Sequence, residues 1–215
     1  VTARTHQQFE QFGGTGIISS SITRELVANG ENVTVYNRGQ TDMGFGDEVQ
    51  QINGDRFDTA DFEAKIAAAG DFDVVIDMMC FDVPQAEMDI RAFAGRTKQL
   101  IFCSTVDVYR KPAGKFPVTE AETRDSNSEY GNNKIKCEDL FMQAHNRGDF
   151  NVTVIRPAHT YYDRGNVIHT LGWHMNYLKR LRDGEPVVVH GDGSSLWVPC
   201  HADDVGHAFI SACLN

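Results

Sequence analysis

The chain has 215 residues, 41% hydrophobic and 23% charged, which is ordinary globular usage and excludes a disordered, collagenous or coiled-coil protein. No apolar run approaches the ~20 residues that span a bilayer. Twenty Lys and Arg against thirty Asp and Glu give a net charge of −10, which argues against nucleic-acid partners and anionic membranes but not against a small phosphorylated ligand held by backbone amides.

Residues 1–12 are polar and lack the apolar stretch of a signal peptide. A buried first strand is expected ahead of a glycine-rich turn. In residues 7–12 only Phe9 and Phe12 are apolar, so the strand is either unusually wet or not the native start of the fold. The turn runs Gly13-Gly14-Thr15-Gly16-Ile17-Ile18-Ser19 and opens a predicted helix at 15–29 that ends at Gly30. Such a turn lets the main chain approach a pyrophosphate and aims a helix N-terminus at its charge. Gly13, Gly16 and Ser19 keep the small-residue spacing, and Thr15, Ile17 and Ile18 join the cofactor-binding set. Glycine-rich turns are common, so the loop alone does not decide the matter.

A strand at 33–36 ends at Asn37-Arg38, 21 residues beyond Gly16, where a dinucleotide fold carries the residue that binds the adenosine ribose. Asn37 can bond a ribose hydroxyl and Arg38 a 2′-phosphate, which points to NADP or to tolerance of both NAD and NADP. The plainer reading of Arg38 is a solvated turn residue. Further strands are predicted at 49–53, 73–79, 99–104 and 152–155, and helices at 59–69, 84–94 and 129–146. Asp58 and Gly70 read as the caps of the first of these helices. Continuous apolar strands alternating with helices imply a doubly wound α/β domain with a parallel sheet over residues 1–157. Residues 158–215 read as part of a substrate lobe, with a helix at 167–182, a strand at 187–189, the turn Gly191-Asp192-Gly193 and a helix at 203–214.

Tyr130 and Lys134 lie four apart on a predicted helix, hence on one face. An ammonium near a phenol favours the phenolate, which can exchange a proton with a hydroxyl or carbonyl. Ser104-Thr105-Val106-Asp107-Val108-Tyr109 ends a core strand, where an α/β fold exposes residues to its ligand crevice.

With these motifs the sequence resembles the extended short-chain dehydrogenase/reductases, and within them the NAD-dependent epimerase/dehydratase group acting on nucleotide sugars. The resemblance runs from Gly13 to about Phe209. It takes in the glycine loop, Gly54-Asp55, Thr105 ahead of Val108-Tyr109, Tyr130 and Lys134, Arg156-Pro157, Gly191-Asp192-Gly193 and His201-Ala202-Asp203-Asp204-Val205. It implies a Rossmann-type fold and a catalytic triad of Thr105, Tyr130 and Lys134. In that triad Tyr130 is the acid/base, Thr105 holds the reacting oxygen, and Lys134 binds the nicotinamide ribose and depresses the Tyr130 pKa. Asp55 would bond the adenine amine, Met78 and Met79 would face the nicotinamide side, and Pro157 and His159 would lie where nicotinamide and substrate meet. Asp107, Tyr109, Asn166 and Trp197 are the expected substrate-binding residues, although core packing is the plainer reading of Trp197. Two departures stand out. Val106-Asp107 replaces the Asp-Glu that dehydratases carry, which demotes sugar dehydration and leaves a base role for Asp107 open. The bulkier Met78-Met79-Cys80 follows the fourth strand where the family keeps small residues. Family members usually continue for roughly a hundred residues beyond Asn215, so the lobe is incomplete.

Five cysteines, with no C-x-x-C pair, read as reduced core thiols of a cytoplasmic protein. Eight histidines show no metal-ligand spacing, and no metal is expected. Asp203 and Asp204 read as acids at the start of the last helix. The leading function is an NAD(P)-dependent epimerase or reductase on a nucleotide sugar or related small molecule, with no nucleic-acid or membrane partner and with a homodimer open. The alternative is a non-catalytic dinucleotide-binding redox sensor or scaffold. A decarboxylase-like enzyme would rest on Asp107 alone.

Overall fold

The computed structural model describes residues 7–163 except 15 and 43, together with 176–189, 191–194 and 196–214. Six parallel strands form the central sheet: β1 (Gln8–Phe12), β2 (Asn32–Asn37), β3 (Val49–Asn53), β4 (Phe72–Asp77), β5 (Thr97–Cys103) and β6 (Asn151–Ile155). Their order is β3-β2-β1-β4-β5-β6, so the chain reverses direction across the sheet between β1 and β4. That is the doubly wound Rossmann order.

Helices α1 (Ile17–Ala28), α2 (Thr59–Ala69), α3 (Val83–Phe93) and α4 (Glu129–Arg147) make the crossovers. Their ends follow from capping. Asp58 accepts from the Asp61 amide, Asp82 from that of Gln85 and Ser128 from that of Gly131. Gly30, Gly70 and Gly148 take the positive φ that ends a helix. One core layer lies under α2, α3 and α4 and includes Phe62, Phe93, Phe102 and Phe141. The other lies under α1 and includes Ile22, Leu26, Val35 and Ile101.

Beyond β6 come β7 (His159–Tyr161), α5 (Asn176–Arg182), β8 (Pro199–His201) and α6 (Ala202–Leu214). β7 and β8 form a separate parallel pair. Their three-residue length left no period for sequence reading to detect. Of the helix expected at 167–182, residues 167–175 lie outside the described set. The strand expected at 187–189 does not form. Val188 and Val189 are exposed, and a β-branched run without a pairing neighbour gains nothing from extension. α6, expected to belong with the substrate lobe, packs on α1 instead. Val205, Phe209 and Ile210 enter the core layer beneath α1, and a Cβ on Gly206 would come within 3.1 Å of the Ser21 Cβ. Asp203, in the first turn of α6, accepts from the Ser21 hydroxyl at 2.6 Å and from Arg24 at 3.1 Å. No helix among the described residues is long and apolar enough to cross a membrane.

The polar stretch before Gly13 is a central strand. Phe9 and Gln11 face α1, and Glu10 and Phe12 face the opposite layer. Gln11 is buried but satisfied, donating to the Ser19 carbonyl and accepting from the Thr23 hydroxyl, each at 2.8 Å. Glu10 is fully buried, and neither carboxylate oxygen makes a hydrogen bond. Burial pushes its carboxyl well above the ordinary range, and the Tyr36 main chain offsets this only in part. The folded state therefore holds a proton that the unfolded chain releases. That contribution to stability is complete in acid, below the unfolded pKa, and is lost as pH rises through the folded pKa. Glu10→Leu should raise stability at pH 8 by about 1–3 kcal/mol and flatten its decline from pH 5 to 8. Denaturant melts across that range check this; an unchanged slope would contradict it.

Candidate functional site

In parallel register, the carboxyl ends of all six strands reach one edge. Phe12 lies beside Tyr36 and Asp77, Asn37 beside Asn53, Asp77 beside Phe102, and Cys103 beside Ile155. The expected site residues in the described part of the chain follow these ends or sit on α4 above them. Thr15 and Asn166 lie outside the described residues.

Gly13 and Gly14 adopt φ of +119° and +82°, which other residues rarely take. A Cβ on Gly13 would meet the Ser19 hydroxyl at 3.5 Å and Met79 at 3.9 Å, so bare main chain lines the crevice between β1 and β4. Gly16 caps α1 with an ordinary φ of −78°, and its amide donates to Ser19 Oγ at 2.9 Å. The conformational demand for glycine therefore falls on Gly13 and Gly14 rather than on Gly16. Ile17 and Ile18 open α1, where the first amides of a helix lack an intrahelical partner.

On the other side of β1, Asn37 Oδ1 accepts from the Gly39 amide and from Gln51, both at 2.7 Å. Arg38 and Asp55 are exposed, and Asp55 Oδ1 accepts from the Phe57 amide. The next residue, Arg56, turns inward. Its guanidinium lies 4.5 Å over the Phe12 ring and donates to both Asp77, at the end of β4, and Asp89, on α3. All three are buried. The Met79 amide donates to Asp77 at 2.7 Å. Burial opposes ionisation of both carboxyls. Arg56 outweighs it at Asp77, whose pKa is lowered, whereas burial and the neighbouring Asp77 push Asp89 well up. Asp77, Cys80 and Asp89 bring three potential metal-ligand atoms within 4.8 Å of one another, but Arg56 is already the cation there.

Past β4, the buried Lys134 ammonium donates to the carbonyls of Cys80 at 2.6 Å and Cys103 at 2.8 Å. The rings of Phe102 and Phe81 lie 4.6 and 4.8 Å away, and that of Tyr130 lies 5.8 Å away. The Tyr130 hydroxyl meets the Thr105 side chain. Its pKa is raised, chiefly by burial and further by Cys103, while the Thr105 hydrogen bond opposes the rise. The net shift is upward, opposite to the depression expected from Lys134, whose ammonium is directed to the two carbonyls.

Asp107 is bound by Ser128, the cap of α4, and by Lys111. Although burial opposes it, these partners hold its carboxyl below the usual range. Tyr109 is buried, not open to a substrate. Its hydroxyl accepts from Arg156 at 2.6 Å, and the guanidinium lies 5.0 Å over its ring. Arg156 also grips Glu138 at 2.7 and 2.8 Å, and Glu138 further accepts from Ser104 and from Arg124 at 3.0 Å. This network flanks a cavity of about 390 Å³ whose lining includes Met142 and Val154. The cavity lies away from the crevice, and its arginines are already paired. Glu138 and Arg56 escaped sequence reading. The available signal for Glu138 was its place with Lys134, Cys137 and Phe141 on one buried stripe of α4.

Pro157 follows β6, and its carbonyl accepts from the Val106 amide at 3.1 Å. His159 packs on Trp197 with ring centroids 5.4 Å apart. Trp197 is 48% exposed, which rules out the core-packing reading.

A doubly wound sheet with a bare glycine turn at its switch point and a Thr-Tyr-Lys set across the crevice defines a dinucleotide-binding fold of the short-chain dehydrogenase type. The chain belongs to the NAD dependent epimerase/dehydratase family, whose model matches residues 12–215. It is 29% identical over 203 residues to 2'-dehydrokanamycin reductase of Streptomyces kanamyceticus, covering 94% of this chain and 57% of that protein. It is 28% identical over 228 residues to the chloroplast stem-loop binding protein of 41 kDa b of Arabidopsis thaliana, covering 100% and 57%. The chain thus spans 57% of the length of both relatives. In fold it matches UDP-N-acetylglucosamine 4-epimerase from Methanobrevibacter ruminantium M1, solved with UDP-N-acetylmuramic acid. That match has a TM-score of 0.82 and 18% identity over 99% of this chain and 74% of that one.

The opposite pKa shifts of the two buried acids give a test. Asp77→Asn removes the carboxylate that is held in its charged form beside Arg56 and should cost about 3–5 kcal/mol. Asp89→Asn alters the carboxyl pushed towards its neutral form and should cost less than about 1 kcal/mol. Equal losses in urea melts would refute the assignment.

Proposed function

We propose that this chain is the dinucleotide-binding part of an NAD-dependent enzyme that epimerises or reduces a nucleotide sugar, or a related hydroxyl or carbonyl substrate. The observation that carries this reading is the meeting of the Tyr130 hydroxyl with Thr105 at the carboxyl edge, across from the bare main chain of Gly13 and Gly14. The crevice suits a dinucleotide. The amides of Gly14, Gly16, Ile17 and Ile18 would receive the pyrophosphate. Asn37 and Arg38 would meet the adenosine ribose, Asp55 the adenine, and Met78, Met79, Pro157 and His159 the nicotinamide end. Bound NAD would supply the site that accepts and returns hydride. Tyr130 moves the proton at the substrate oxygen, and Thr105 holds that oxygen by a hydrogen bond. Lys134 fixes α4 against the strand ends and so places Tyr130. Trp197 is the proposed stacking surface for the substrate.

A second reading, a non-catalytic dinucleotide sensor, is favoured by the sealing of Lys134, which is 1% exposed. The net charge of −10 works against an RNA scaffold.

Kinetics on the full-length protein with a panel of UDP-, GDP- and dTDP-sugars separate these readings. Tyr130→Phe should lower turnover by about 10²–10⁴ while leaving NAD affinity unchanged; full activity would exclude the mechanism. Because the Tyr130 pKa is raised, kcat/KM for substrate oxidation by the free enzyme should still be climbing at pH 9. A plateau beginning near pH 7 would contradict the raised pKa. Arg38→Ala should weaken NADP more than NAD by about 1.5–3 kcal/mol if Arg38 reads a 2′-phosphate; equal affinities would make it a turn residue only.

A further inference from the structure

The loop between β4 and α3 lies against α4 through two sulfurs. Cys80 donates to Cys137 with the sulfur atoms 3.7 Å apart, and both residues are fully buried. Among the described residues no other cysteine pair is in contact. The surrounding main chain already holds the two together. The Cys80 carbonyl accepts from Lys134, and Cys137 follows Lys134 by three positions on α4, on the same buried stripe. A disulfide needs sulfurs about 2.05 Å apart, a contraction of about 1.7 Å. The Cys80 side can supply it. Residues 78–82 are irregular, and Met79 and Phe81 on either side of Cys80 are each more than a third exposed, so the loop can sink towards α4 without breaking a strand or helix.

We propose that Cys80 and Cys137 are a reversible oxidation site, converted to a disulfide by a small peroxide. Cys137 is the attacking sulfur, because the S–H that Cys80 donates to it favours its thiolate, the form that attacks. Its sulfur attacks one peroxide oxygen, the O–O bond breaks, and Cys137 becomes a sulfenic acid as one water leaves. The Cys80 sulfur, already in contact, attacks the sulfenic sulfur. The S–S bond forms, the S–O bond breaks, and the second water leaves with the Cys80 proton. Two thiols lose two electrons, and one peroxide gains them. Both sulfurs are fully buried, so the peroxide reaches them only as the irregular 78–82 loop opens. The product ties residues 78–82, and with them the Met79 that borders Gly13, to α4.

The test is mass spectrometry of the folded protein after dilute hydrogen peroxide. The expected result is loss of two hydrogens, a Cys80–Cys137 linked peptide, and full reversal by dithiothreitol. Amide exchange in residues 78–82 should slow at least tenfold in the oxidised form. Cys80→Ser should stop at a sulfenic or sulfinic acid on Cys137, and Cys137→Ser should lose the disulfide entirely. Both serine variants keep the side-chain size, and a thermal melt confirms that they are folded. Oxidation that appears only after denaturation, a link to a different cysteine, or exchange unchanged by oxidation would overturn the proposal.

Discussion

One buried ammonium organises the carboxyl edge of this fold. An ammonium taken out of water is costly unless its protons are met. Lys134 meets the requirement with the carbonyls of Cys80, in the loop after β4, and Cys103, the last residue of β5, and with the faces of surrounding aromatic rings. These contacts fix the start of α4 over the strands, and Tyr130, one turn earlier, is thereby set against Thr105. Glu138, one turn later, performs the same service from the other side. It holds Ser104, which precedes Thr105, and Arg156, which precedes Pro157. One helix thus positions two strand ends, one through a cation and the other through an anion.

The rest of the edge follows a similar logic. Arg56 leaves the β3 end and joins β4 to α3, spanning the strand ends on either side of β1. The charged groups buried at this edge, Arg56, Asp77, Lys134 and Glu138, have partners from another element, so strand ends that would otherwise fray are cross-linked electrostatically. Glu10, in the middle of the sheet, has no such partner, and burial favours its neutral form.

Much of this was legible in the sequence because it is local. The strand at 152–155 announces itself by its β-branched run, and the helix at 59–69 by the caps Asp58 and Gly70. The glycine turn, Tyr130 and Lys134 announce themselves by spacing, and Thr105 by the resemblance to the epimerase/dehydratase family. What stayed hidden depends on contacts between distant residues. Arg56 meets Asp89 across 33 positions and Glu138 meets Ser104 across 34, and such pairings leave no periodic trace. The partners of Lys134 were hidden for the same reason. The i,i+4 spacing puts it beside Tyr130, but the carbonyls that receive its ammonium come from other elements.

The central claim is that the glycine turn between β1 and β4 receives a dinucleotide. Calorimetric titration of NADH into the wild-type protein and into Gly13→Val tests it most directly, because valine adopts a φ near +119° only with strain. The account requires saturable binding at one site per chain in the wild type and loss of that binding in a variant whose melt shows a folded sheet. Equal affinity in the two proteins would contradict it.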